Sequence, residues 1–231
     1  VAYVPDVDNA AEPIISRPSG SAAEEFRRVK ERIAVLGGIG TFWNPDDKSS
    51  QITLSLGNLL ATKAAPDGSD AGVRAFTGKN SGQWYWELTV QSISASMYLG
   101  IGTLLASLSS SLGADINGFA YRSDGQKVNN GVAAAYGASY TAGDVISVAF
   151  DATAGTLTFF KNNVSQGIAY SGLTGTKFPI ASLVNTGNAV LANFGNSAFV
   201  YAPPPGFSGF TAATAAASVP FFVRQFFPEL S

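Results

Sequence analysis

The sequence predicts an all-β domain between Thr41 and about Pro205, and three observations carry that expectation. Short segments in this stretch alternate apolar and polar residues with period two, and clusters of Gly, Asn, Asp and Ser separate them. In QWYWELTV, residues 83–90, Trp84, Trp86, Leu88 and Val90 fall on one face and Tyr85, Glu87 and Thr89 on the other. In DVISVAFD, Ile146, Val148 and Phe150 alternate in the same way, and the turn DATAG leads straight into TLTFF, the pattern of a hairpin whose aromatic and β-branched residues form core and cross-strand pairs. A chain of 231 residues is long enough for one sizeable core, so one main domain with extensions is the expected organisation.

The flanking elements follow in order. Residues 1–20 contain three Pro and little apolar periodicity, which predicts an extended arm. Residues 21–38 read as a short amphipathic helix: Ser21 and Glu24 have the spacing of a capping box, and Gly37 and Gly38 supply the stop. Its apolar positions Ala22, Phe26, Val29, Ile33 and Leu36 form a heptad seam of two repeats, too short to be stable alone. Two readings stand for that seam, packing on its own domain or association with other copies. The β-domain is bounded at 39–207, and residues 208–231 form an apolar tail with Phe221, Phe222, Phe226 and Phe227 inside seven residues. Exposed on a monomer, these four would make a patch of the kind that marks an interaction site; folded back, they would cover the domain's own sheet.

Composition excludes several classes of function. A net charge of -2 and no central run of Lys or Arg leave nothing to neutralise a phosphate backbone, so nucleic acid is not expected as a partner. The chain has no Cys and no His, which removes disulfides, thiolate ligands and the commonest metal ligand and general base. No metal site and no cofactor are expected. No apolar run reaches membrane-spanning length, and the start lacks the basic-then-apolar plan of a signal peptide, so a soluble protein without membrane insertion is the expectation.

The ordered motifs of the central region resemble the SPRY domain family. SGQWYWELTV is similar to the family's G-x-W-Y-W-E-V strand and YLGIGT to its V-G-I-A strand. YTAGDVISVAFDATAGTLTFFKNNVSQGIAY resembles its long G-D-V-I-G-V-x-L-D…G-x-L-x-F-x-x-N-G stretch, and FPIASL and ANFGNSAFVYAPPPGF its closing elements. Asn163 stands where the family has Gly; Asn also tolerates positive φ, so the turn is expected to survive. The resemblance implies a two-sheet antiparallel β-sandwich, concanavalin-like, whose loops at one end form a contact surface. By position those loops are 62–72, 104–118, 122–131 and 184–189, and the ligand-contact candidates within or beside them are Asp67, Asp70, Tyr98, Asp115, Asn117 and Asn185.

Catalysis is not expected. A glycosidase needs two facing carboxylates, and Glu87 has no second acid on its face. Asp144 and Asp151 flank a strand at its turns, where Asp commonly bonds nearby backbone, and the serines have no His partner.

A binding role remains. EPIISRPSGSAAEEFRRVKERI is similar to the attachment segments that open tail-fibre and related virion proteins of tailed bacteriophages. That likeness implies a non-enzymatic virion structural protein of tail fibre, collar or decoration type: a homo-oligomer, trimer favoured, contacting other virion proteins through Phe26, Val29, Ile33, Leu36 and the tail phenylalanines. Its outward domain would meet a host surface protein or glycan. The alternatives are an intracellular SPRY adaptor binding a peptide or protein, for which no accompanying RING, coiled-coil or box-type domain is seen in this sequence, and a monomeric carbohydrate-binding module stacking sugar on Trp43 or a loop Tyr.

Overall fold

Period-two alternation gives each strand one apolar face, and two sheets laid face to face bury those faces together. The computed structural model of the protein describes residues 41–64 and 70–210. Fourteen strands run through them: β1 (Trp43–Lys48), β2 (Ile52–Ser55), β3 (Leu60–Lys63), β4 (Ala71–Ala75), β5 (Gln83–Ser92), β6 (Met97–Gly102), β7 (Gly118–Arg122), β8 (Gln126–Asn129), β9 (Val132–Ala135), β10 (Val145–Asp151), β11 (Thr156–Lys161), β12 (Val164–Tyr170), β13 (Phe178–Leu183) and β14 (Ala189–Asn193). The expected arm, the helix with Phe26, Val29, Ile33 and Leu36, the loop residue Asp67, and the tail with Phe221, Phe222, Phe226 and Phe227 lie outside the described residues.

Sheet A has the order β1-β4-β13-β6-β7-β8-β9 and sheet B the order β12-β11-β10-β5-β14-β3-β2. Paired strands within both sheets are antiparallel, as the sandwich reading expected. The predicted hairpin is β10–β11, in register from Ile146 opposite Lys161 to Asp151 opposite Thr156. Its turn is built by Asp151, whose Oδ1 accepts the Thr153 and Ala154 N–H groups at 3.0 and 2.8 Å. The next turn, between β11 and β12, places both Asn162 and Asn163 at positive φ (48° and 69°), so Asn163 does adopt the conformation that glycine usually supplies.

Trp86, Leu88 and Val90 of β5, Ile146, Val148 and Phe150 of β10, and Leu157 and Phe159 of β11 meet Met97, Leu99, Ala181, Leu183 and Val73 of sheet A in one core. Trp43 belongs to that core: it is 0% exposed and packs edge-on against Phe194, ring centroids 5.1 Å apart. It offers no platform for a sugar. The packing continues to Phe210, whose ring meets Trp84, Trp86 and Phe194.

Both outer faces are also partly covered, which the alternation did not predict. On sheet B, Glu87 points away from the core as expected yet is 1% exposed. The segment after β14 crosses over it: Glu87 accepts the backbone N–H of Val200 through Oε2 and of Tyr201 through Oε1, both at 2.7 Å, and Phe199 stacks edge-on against Tyr85 at 4.9 Å. On sheet A, the β6–β7 connection folds back across the strands. Ala106 and Leu112 from this loop join Ala120, Val128 and Ile180 in a second apolar cluster, with Tyr98 and Leu108 packed on it. Arg74, almost fully buried, fastens the loop by donating from Nη2 to the Ala106 carbonyl at 2.6 Å while Nη1 pairs with Asp47.

Candidate functional site

The strand registers sort the connections into two poles. β6 begins at Met97 opposite Leu183, where β13 ends, and ends at Gly102 opposite Phe178, where β13 begins. The turns 93–96 and 123–125 and the loop 184–188 therefore sit at the Leu183 pole, together with Asp70 at the entry to β4. The connection 103–117 springs from the Gly102 pole, and only its middle reaches across. There Leu108 accepts the Gly72 N–H at 2.8 Å and the Ser111 hydroxyl donates to Asp70 Oδ2 at 2.5 Å.

Asp70, Tyr98 and Asn185 are thus brought to the Leu183 pole, whereas Asp115 and Asn117 lie at the opposite one, so the expected single cluster is divided. The physical reason is the fold-back loop: its sequence neighbours are carried over the length of the sheet. Both displaced residues hold the loop in shape. Asp115 Oδ1 accepts the Asn117 N–H at 2.7 Å, and Asn117 Oδ1 accepts the Thr103 hydroxyl at 3.3 Å.

On the outer face of sheet A at the Leu183 pole, a second set of residues surrounds Tyr98. Arg122, its cross-strand neighbour on β7, places its guanidinium 5.8 Å from the Tyr98 ring. The same guanidinium grips Asp124 bidentately, Nε to Oδ1 at 2.9 Å and Nη2 to Oδ2 at 2.6 Å, and Nη2 also donates to Gln126 Oε1 at 2.6 Å. Those hydrogen bonds from Arg122 hold the Asp124 carboxyl below its ordinary range. The sequence reading placed Arg122, Asp124 and Gln126 inside its candidate loop 122–131 without singling them out; their visible signal was the i, i+2, i+4 spacing of polar residues through the tight turn RSDGQ.

The floor of this pole is cross-linked by hydrogen bonds of buried side chains. Tyr140, buried with its phenol held well above the ordinary range by desolvation, donates to the Met97 and Tyr121 carbonyls at 2.8 and 3.0 Å. Asn188, fully buried, accepts the Ser94 N–H at 2.8 Å and donates to the Ser96 carbonyl at 2.8 Å, which ties the β5–β6 turn to the β13–β14 loop. Asn185 beside it leaves its Oδ1 buried without a hydrogen-bond partner among the described residues.

The acids support structure. Asp144 accepts the Thr141 N–H at 2.8 Å and the Asn162 amide at 2.6 Å, and Asp151 holds its turn and the Gln83 amide, as turn aspartates were expected to do. Among the described residues no group of three or more His, Cys, Asp or Glu is placed to hold a metal ion, and no helix is long and apolar enough to cross a membrane. The pole offers a positioned aromatic ring, a guanidinium–carboxylate pair and amides on a fixed frame, which suits recognition of another molecule's surface.

Comparisons with known proteins agree with the sandwich. The SPRY domain family model matches residues 83–197. Ran-binding protein 9 of Xenopus tropicalis is 32% identical over 168 residues, covering 69% of this chain and 31% of its own length, so the chain spans about a third of that relative. The E3 ubiquitin-protein ligase RKP of Arabidopsis thaliana is 32% identical over 132 residues, 54% of this chain and 10% of that protein. Among solved structures, the SPRY domain of human HERC1 superposes with a TM-score of 0.57 at 19% identity, covering 65% of this chain and 96% of that one, a likeness of fold. These findings give no support to the likeness between the N-terminal segment and phage attachment segments. The motif series, the two-sheet topology and the family match together make the described sandwich a SPRY domain.

Proposed function

We propose that this chain is a protein-recognition module of adaptor type, whose SPRY domain binds a peptide or protein partner at the Leu183 pole through Tyr98, Arg122, Asp124, Gln126, Asn185 and Asp70. The observation that carries the reading is the positioning of the Tyr98 ring: its cross-strand neighbour Arg122 is itself fixed by Asp124 and Gln126, so an aromatic contact and a charged pair are presented without further ordering. Pre-organised aromatic and Arg side chains are the residue types that most often dominate binding energy at protein interfaces. SPRY domains serve as protein-interaction modules, and the match to Ran-binding protein relatives favours this adaptor reading over the virion one. The sugar-binding alternative loses one of its two stacking candidates, with Trp43 in the core.

The test is selection of binders from a random peptide library on the full chain, followed by calorimetry with Tyr98→Ala and Arg122→Ala. Each substitution is expected to weaken the selected peptides about tenfold or more, the loss of a hot-spot contact of about 1.4 kcal/mol or greater. Peptides that bind both variants as tightly as the parent would place the site elsewhere.

A further inference from the structure

Among the described residues the two open sheets leave four edge strands, β1 and β9 on sheet A and β2 and β12 on sheet B. An edge strand displays unpaired N–H and C=O groups, and proteins that must not associate through it blunt it with charge, proline, bulges or a covering contact. Three of these edges are blunted. β1 carries Pro45, Asp46, Asp47 and Lys48, and its pairing with β4 is broken by a register shift. β12 has two register irregularities against β11. The Ile52 carbonyl of β2 accepts the Lys48 ammonium at 2.7 Å.

β9 is different. Its sequence is Val-Ala-Ala-Ala, every residue is exposed, and it contains no charge, no proline and no register break against β8. The hairpin turn at Asn130 and Gly131, both at positive φ (52° and 71°), fixes which way its groups point. Tyr136 donates its N–H to the Gly125 carbonyl at 3.1 Å, so alternation along the strand turns Val132 and Ala134 toward β8 and Ala133 and Ala135 toward open solvent. Among the described residues no other strand meets those outward groups.

We propose that β9 pairs with β9 of a second copy of this chain, antiparallel across a two-fold axis through Ala134, so that two A sheets become one. The register is self-complementary. Ala133 lies opposite the partner copy's Ala135 and the reverse, each pair exchanging two N–H···O=C bonds, while the two Ala134 side chains face each other at the axis. The occupant follows from charge and size. Nothing charged on β9 meets its own copy, and the nearest charge on β8, Lys127, is turned away to the Ala169 carbonyl at 2.7 Å. Alanine methyls let the two strands approach without steric conflict. Val132 at the start of the strand is 67% exposed, as is Ile116, whose carbonyl accepts the Asn129 amide at 3.4 Å. The contact is small, so association is expected to be reversible and concentration-dependent.

The experiment is sedimentation velocity of the full chain over a concentration series, with Ala134→Lys, Ala134→Glu, their equimolar mixture, and Ala133→Pro. The parent is expected to shift from monomer to dimer as concentration rises. Each charged variant sets like charges face to face at the axis and is expected to weaken the dimer at least tenfold, while the mixture restores it. Ala133→Pro removes an outward N–H without touching the bonds to β8 and is expected to abolish the dimer with an unchanged circular dichroism spectrum. A parent that stays monomeric, variants that associate like the parent, or a mixture that fails to restore the dimer would each overturn the proposal.

Discussion

Replacing Glu87 by Gln keeps the shape of the side chain and removes one acceptor oxygen. In the native structure Oε2 accepts the Val200 N–H at 2.7 Å, and Oε1 accepts the Tyr201 N–H at 2.7 Å and the Tyr85 hydroxyl at 3.2 Å. The amide of Gln keeps one oxygen for these donors and turns an NH₂ toward the other backbone N–H, so one charge-assisted bond is lost and a buried donor is left facing a donor. Hydrogen bonds to charged groups contribute about 1.5–3 kcal/mol, so Glu87→Gln is expected to destabilise the fold by about 2–3 kcal/mol. For a domain of this size that is a fall of about 4–12 °C in Tm. The assay is urea unfolding followed by tryptophan fluorescence, which reads Trp84 and Trp86 on the same strand. Val200→Ala is the control, because the Val200 side chain is exposed and contributes only its backbone; it is expected to stay within about 0.5 kcal/mol of the parent. A Glu87→Gln protein as stable as that control would refute the argument that this carboxylate holds the segment after β14 on the sheet.

Three further outcomes follow from the geometry. A Cβ at Gly100 would stand 2.0 Å from the Phe119 carbonyl oxygen on the neighbouring strand, so Gly100→Ala is expected to yield no soluble folded protein. Gly143→Ala meets nothing within 4 Å and bears only the strain of φ +89°, about 1–2 kcal/mol; comparing the soluble yields of the two variants checks this. The Asp151 carboxyl is held below its ordinary range, first by the Ala154 N–H and then by the Gln83 amide. The folded chain therefore binds fewer protons than the unfolded one, so this stabilisation is complete above about pH 4 and is lost as pH falls through the folded value. Asp151→Asn is expected to flatten the acid limb of the urea midpoint plotted against pH. Arg74→Met leaves the Ala106 carbonyl and Asp47 without their buried cation and is expected to release the β6–β7 loop, read as faster cleavage by chymotrypsin beside the exposed Leu104 and Leu105.

Local periodicity carried much of the fold. The faces of β5 and β10 and the Asp151 turn were legible because each depends on residues within a few positions of one another, and the resemblance to the SPRY family pointed to the turn at Asn163. Covering of the outer faces was not legible, because it joins distant segments: Glu87 meets Val200 and Tyr201, and Gly72 meets Leu108. The burial of Trp43 is hidden from the sequence for the same reason, since it depends on Phe194 from the far end of the domain. The placement of the candidate residues was half legible. Tyr98, Asp70 and Asn185 share a pole because strand ends can be counted, but Asp115 and Asn117 were misplaced because the length of the 103–117 loop gives no sign that it doubles back over sheet A. Arg122 lies in the candidate loop 122–131, but its place beside Tyr98 was not legible because it depends on the β6–β7 register.

Hydrogen–deuterium exchange of the full chain with and without a selected peptide tests the recognition claim most directly. Binding at the Leu183 pole predicts new protection confined to residues 70–71, 94–98, 122–126 and 184–188. Protection at 103–106 and 115–117 instead, with the Leu183 pole unchanged, would contradict the account.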